Sequence, residues 1–200
     1  MTDIISEVTR TLEIEANSIA SLIKTLDMQA VKKVTEVFAD CKGRIVLSGC
    51  GTSAMAAKKI AHSLSCIERP AFFLTPSDAV HGALGVLQKG DILVLISKGG
   101  NTTELTRLIP ACKTKGVYLI GITEEPSSII GQEADICLKI KVEREPCRFN
   151  MLATASTLAV ISVFDAICIA LMQVTGYTRV QFSVIHPAGA VGDRLTVKST

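Results

Sequence analysis

A chain of 200 residues can bury one large α/β core and is short for two domains. Its 48% hydrophobic and 20% charged residues match a globular composition and exclude a disordered or fibrous chain. The net charge of +2, no Lys/Arg run longer than two, the absence of Trp and only two Tyr leave no basic face and few stacking platforms, so no nucleic-acid partner is expected.

Residues 3–40 read as two helices, because Ile4, Val8, Leu12, Ile19, Leu22 and Ile23, then Val31, Val34 and Phe38, recur near helical spacing. The opening MTDIISEVTRTLEIE is acidic and amphipathic, unlike a signal peptide. From Arg44 short β-branched runs alternate with helical stretches: Ile45–Leu47, Ala71–Leu74, Ile92–Ile96, Val117–Ile122 and Ile136–Ile140 as strands, Ser53–Ser65 and Thr103–Lys115 as helices. Strands this uniformly hydrophobic are covered on both faces, as in a parallel sheet between helical layers. Met151–Val174 is apolar over about the 20 residues a membrane span needs. Asp165 in its middle and four hydroxyl residues on its first half make it a buried core helix instead, and no membrane partner is expected. The seven cysteines are scattered, with no CxxC pair, which argues against a disulfide framework or a zinc site and suits a reducing cytoplasm.

In open parallel sheets ligands bind at the carboxyl ends of the strands, so the residues following each strand carry the functional information. After the first strand, Ser48-Gly49-Cys50-Gly51-Thr52-Ser53-Ala54 fits G-x-G-x-x-A. A dinucleotide reading also needs an acid closing the second strand, but Asp78 lies beyond Pro76; a tight turn with backbone close to a ligand accounts for the glycines better. After the third strand comes Ser97-Lys98-Gly99-Gly100-Asn101-Thr102-Thr103-Glu104. One hydroxyl would suffice to cap a helix there; three hydroxyls, two glycines and a lysine predict a phosphate cradle at a helix start. It is not a Walker loop, since no G-x-x-x-x-G-K-[ST] occurs. After the fifth strand, Val142-Glu143-Arg144-Glu145-Pro146-Cys147-Arg148 has, on charge alone, the look of a solvated loop, and Thr154-Ala155-Ser156-Thr157 offers hydroxyls at the next helix start. His81 and His186 both lie in Gly-containing turns, whereas His62 falls inside a helix.

Taken together, GCGTSA, HGALG at His81–Gly85, ISKGGNTTEL, REPC, TAST and IHPAGAVGDRL at Ile185–Leu195 resemble the sugar-isomerase (SIS) domain family, in its arabinose 5-phosphate isomerase branch. The resemblance covers nearly the whole chain. It implies a three-layer α/β/α sandwich around a five-stranded parallel sheet, doubly wound and flavodoxin-like: one SIS domain over 1–200, with a helical segment at 1–40 and an α/β core at 41–195. It implies a sugar-phosphate isomerase interconverting aldose and ketose through an enediol, of the arabinose 5-phosphate/ribulose 5-phosphate type. The alternative is a non-catalytic sugar-phosphate sensor, and a lyase or etherase of the same superfamily stands behind both.

By position, Glu104, Glu145, His81 and His186 inherit catalytic roles. Gly51, Thr52, Ser53, Ser97, Lys98, Gly99, Asn101, Thr102, Thr103, Thr154 and Ser156 inherit substrate or phosphate binding. No cofactor and no metal is implied, and relatives assemble as homodimers or homotetramers in which a histidine reaches a neighbour's site. The chain departs from the branch where Thr52 replaces the first-loop lysine, Ala54 a glycine and Ala83 an acid, and it ends near Leu195 without paired CBS modules. Loss of that lysine removes a cation from the site, and Lys98 or Arg148, new at substituted loops, is the expected replacement.

Overall fold

The computed structural model describes residues 3–189. Two N-terminal helices come first, α1 (Ile4–Thr25) and α2 (Met28–Asp40). Each starts on an aspartate: Asp3 accepts from the Ile5 amide, and Asp27 from the amides of Gln29 and Ala30, which satisfies donors the helices cannot pair themselves. Five strands follow, β1 (Ile45–Gly49), β2 (Ala71–Phe73), β3 (Ile92–Ile96), β4 (Tyr118–Thr123) and β5 (Ile136–Lys139). They pair in parallel in the order β2-β1-β3-β4-β5. Every residue of β1 and β3 is buried, the pattern of strands covered on both faces.

The alternation of side chains sorts the core into two halves. Ile45, Leu47, Ile92, Val94, Ile96, Ile120, Ile122 and Leu138 face α2, α3 (Gly51–Ser65) and α8 (Ala155–Val174). Val46, Leu93, Leu95 and Leu119 face the opposite layer. That layer holds the short helices α4 (Pro76–Ala79), α5 (Thr103–Thr106), α6 (Ile109–Lys115) and α7 (Ile129–Glu133). A last short helix, α9 (Arg179–Val184), follows α8. The helix expected over Thr103–Lys115 is therefore two pieces. Pro110 has no N–H and its ring opposes the carbonyl four residues earlier, so the chain turns at Arg107–Leu108 and restarts.

Helix α8 is the one helix, among the described residues, long and apolar enough to cross a membrane. It packs against α1, α2 and α3 and buries Phe164, Ile167 and Leu171.

Because the sheet is wound outward from β1 and β3, the connections leaving those two strands go to opposite faces and open a crevice at their carboxyl ends. Two glycines shape its walls. A Cβ on Gly49 would stand 2.9 Å from the Ser53 carbonyl oxygen, so only glycine lets β1 run this close to α3. Gly100 has φ +69°, and a Cβ there would overlap the Ser128 side chain and stand 2.8 Å from the Thr123 hydroxyl.

Candidate functional site

At the crevice lies a small cavity of ≈ 80 Å³ drawn from the ends of four strands. Thr52 and Ser53 enter from the first turn of α3, Lys98 from the turn after β3, Thr123 and Glu124 from the end of β4, and Ser156 and Thr157 from the start of α8. No side chain caps the start of α3, so the amides of its first turn are left for a ligand at the positive end of a 15-residue helix.

The turn after β3 is a rigid unit. The Ser97 hydroxyl is buried, accepts from the Gly100 amide at 3.0 Å and lies 2.8 Å from the Thr102 hydroxyl. The Lys98 carbonyl accepts from the Thr123 hydroxyl and from the Glu124 amide, both at 3.0 Å, which ties this turn to the end of β4. Asn101 accepts from the Ile129 amide at 2.9 Å and so spends its side chain at the start of α7. Gly99, Asn101 and Thr103 are exposed on the rim. Of the expected cradle, then, Ser97 and Asn101 build the turn, while Lys98 reaches into the cavity.

Lys98 makes the central contact. Its ammonium donates to Glu145 Oε1 at 2.6 Å and stands 3.8 Å from Glu124 Oε1. Glu143, Arg144 and Arg148 are exposed, but Glu145 is fully buried, contrary to what the charge of its segment suggests. Its other oxygen accepts from the amides of Thr154 (3.0 Å) and Ser156 (3.4 Å), which makes the carboxylate an external cap on α8, at the positive end of that helix. Burial pushes this carboxyl up, but the Lys98 ammonium, Ser156 and the Thr154 amide outweigh it and hold Glu145 below the usual glutamate range. Glu124 goes the other way. Burial, assisted by the Glu145 charge, outweighs Lys98, the Val142 amide and Lys141, and raises its carboxyl. The segment bearing Glu145 is held from outside by α1, where Arg10, paired with Glu7, donates to the Pro146 carbonyl at 2.7 Å.

The remaining expected residues lie farther out. Glu104 sits in the first turn of α5 close to Cys50, whose thiol is pushed up by burial and by the Glu104 carboxylate. His81 is exposed and its Nδ1 lies 2.8 Å from the carbonyl of Ser77 in α4, which rests against α5. His186 stacks on Phe182 with ring centroids 3.9 Å apart, and its Nδ1 is 2.9 Å from the Phe182 carbonyl. Phe182 in turn meets Tyr177, whose hydroxyl donates to the Cys66 carbonyl at the far end of α3. From the cavity to that end, α8 runs 20 residues, about 30 Å. His186 thus stands away from the Lys98 cavity of its own chain. Arg148 lies near Glu7 on α1, so Lys98 and not Arg148 brings a cation to the place where Thr52 stands.

Glu124 and Thr123 were not among the expected residues, and Thr157 was expected only as one of the hydroxyls at the start of α8. The signal for Glu124 was its position directly behind the fourth strand, at the carboxyl edge where ligand-binding residues collect. Among the described residues no group of three or more His, Cys, Asp or Glu side chains is arranged to hold a metal ion. The last expected motif residues, 190–195, lie outside the described residues.

Comparison with known proteins follows the same geometry. The SIS domain family model matches residues 38–170. The arabinose 5-phosphate isomerase KdsD of Pseudomonas aeruginosa is 36% identical over 196 residues, 98% of this chain and 60% of the relative. The chain thus spans about 60% of the length of such curated relatives. A crystal structure of a Listeria monocytogenes protein superimposes with a TM-score of 0.92 at 59% identity, covering 94% of this chain and 100% of that one. An Escherichia coli CFT073 protein in complex with arabinose 5-phosphate gives a TM-score of 0.89 at 29% identity, covering 94% and 100%.

Proposed function

This chain belongs to the SIS domain family, and from that premise we propose that it is an aldose–ketose isomerase acting on a phosphorylated sugar of the arabinose 5-phosphate/ribulose 5-phosphate type. The observation that carries the reading is the Lys98–Glu145 contact at the carboxyl edge, with Glu124 beside it. A sensor needs only to hold its ligand. An acid–base reaction also needs a carboxyl that keeps its proton beside a cation, and burial raises Glu124 next to Lys98 while Glu145 fixes that cation. The sugar-phosphate complex of the Escherichia coli relative supports a pentose phosphate as the substrate class.

The phosphate is anchored by the uncapped first turn of α3 with the Thr52 and Ser53 hydroxyls, and by Gly99, Thr102 and Thr103 on the rim. Ser97 and Asn101 serve it by fixing the turn, and Thr154 gives its amide to Glu145. Lys98 takes the place of the first-loop lysine and steadies negative charge developing on the sugar's carbonyl oxygen. Glu104, which has no ion pair among the described residues, removes the proton beside the carbonyl and returns it to the neighbouring carbon. Glu145, already saturated by Lys98 and two amides, holds Lys98 in place and stays ionised.

His81 and His186 act at the site of a neighbouring subunit in a homodimer or homotetramer. Supporting this, Ile4, Ile5, Val8, Leu12 and Ile23 leave an apolar stripe exposed along α1, and His186 is out of reach of its own cavity. The cysteine usage and composition fit a cytoplasmic protein. The test is direct: purified protein incubated with arabinose 5-phosphate is expected to yield ribulose 5-phosphate, approaching the same ratio from either sugar. Binding of pentose and hexose phosphates with no conversion of any would replace this reading with the sensor.

A further inference from the structure

We infer that Glu124 is the carboxyl that carries protons between the two oxygens of the reacting carbons, with Lys98 beside it holding the charge that develops there. The inference rests on the isomerase reading and adds to it a proton carrier, which neither Glu104 at the rim nor the saturated Glu145 supplies.

Three observations place it. Glu124 lines the cavity together with Thr52, Ser53, Lys98 and Ser156. Its Oε1 is closed off from solvent and makes no hydrogen bond. Lys98 stands 3.8 Å from that same oxygen, while its short contact goes to Glu145. A buried carboxyl oxygen without a partner is costly, and such a group persists where a ligand completes it. Glu124 lines the space that the sugar's reacting end would fill, next to the cation that would polarise it. Burial also favours the protonated form against the pull of Lys98, Lys141 and the Val142 amide, and the neighbouring Glu145 charge adds to that preference. The adjacent Glu125 stands 4.0 Å from Lys141 and takes no part in the cavity.

The proton balance closes without any further reactant. As Glu104 takes the hydrogen from C2 of the open-chain aldose, the C–H electrons form the C1–C2 double bond. The C1 carbonyl oxygen then takes the proton from Glu124, giving the enediol. Glu124, now a carboxylate, accepts the proton from the C2 hydroxyl; the C2 carbonyl forms, and Glu104 returns its proton to C1. Both carboxyls end as they began. Because Glu124 must start protonated, turnover falls as pH rises through its ionisation.

The experiment compares wild type with Glu124→Gln and Glu124→Asp in the conversion of arabinose 5-phosphate, across pH. Glutamine keeps size and polarity but cannot transfer a proton. In Glu124→Gln, kcat is expected to fall by about 10²-fold or more with KM within about twofold, and the high-pH limb of the wild-type profile to vanish. Glu124→Asp recovers part of kcat together with that limb. The glutamine variant is also expected to melt higher than wild type at neutral pH, since it removes a carboxyl whose burial opposes ionisation. An unchanged kcat and pH profile in Glu124→Gln would overturn the inference while leaving the isomerase standing. So would equal losses in kcat and thermal stability, which mark a structural residue. A wild type that converts no sugar phosphate would remove the isomerase reading, and this role with it.

Discussion

Lys98 and Glu145 show how one substituted residue changes the demands on its neighbours. The ammonium is partly solvent-exposed, while the carboxylate it meets has no exposed surface. A buried carboxylate must be paired and hydrogen-bonded, and Glu145 has a cation on one oxygen and two helix amides on the other. Its folded-state ionisation lies below the ordinary value of 4.5, so it contributes stability that is fully present above that value and is lost as pH falls through the folded one. Wild type is accordingly expected to lose stability on acidification below about pH 4.5, and Glu145→Gln to be less stable at neutral pH by about 1–3 kcal/mol with a weaker acid dependence. Chemical unfolding at several pH values measures both. An acid dependence identical in the two proteins would mean that Glu145 is not held ionised by Lys98 and α8.

At the scale of elements, the five strands were readable because each is a short, mostly apolar run, rich in isoleucine, valine and leucine except for Ala71-Phe72-Phe73 in β2, and their ends shifted by two residues at most. The phosphate-loop and α8-start residues were readable for a different reason. A parallel sheet gathers whatever follows its strands to one edge, so Thr52, Lys98 and Ser156 meet although they are far apart in the chain. What was not readable is how side chains divide their bonds. Ser97 and Asn101 carry the same groups as a phosphate ligand, yet they close the turn and start α7. The dense charge of the 143–148 segment, two acids and two bases, concealed a fully buried Glu145, because burial depends on where α1 and α8 come to rest and not on local charge. Glu124 belonged to the right edge of the sheet, but a lone glutamate after a strand is indistinguishable in sequence from a solvated one; burial and the missing partner give it meaning. Pro110 lies inside the single helix expected over Thr103–Lys115, and the break before α6 follows from it.

Across the whole molecule, the two ends of the sheet have separate tasks. The carboxyl edge holds Lys98, Glu124 and Glu145, while α9 and His186 gather near the far end of α3. If His186 serves the site of a neighbouring subunit, Glu145→Gln and His186→Ala damage different halves of a shared site. Each variant alone is then expected to be nearly inactive, and co-refolded equimolar mixtures to regain about a quarter of wild-type activity, since half the dimers are mixed and each has one intact site. No recovery in mixtures shown to exchange subunits would confine each site to one chain.

A sugar phosphate either reacts at the Lys98 cavity or merely rests there. The direct measurement is proton NMR of arabinose 5-phosphate incubated with the protein in D₂O. Abstraction and return of the proton through an enediol must carry solvent deuterium into C2, and wild type is expected to do so while Lys98→Met does so far more slowly. Thermal stabilisation of wild type by arabinose 5-phosphate and a panel of other sugar phosphates, with no deuterium entering any of them, would contradict the isomerase reading.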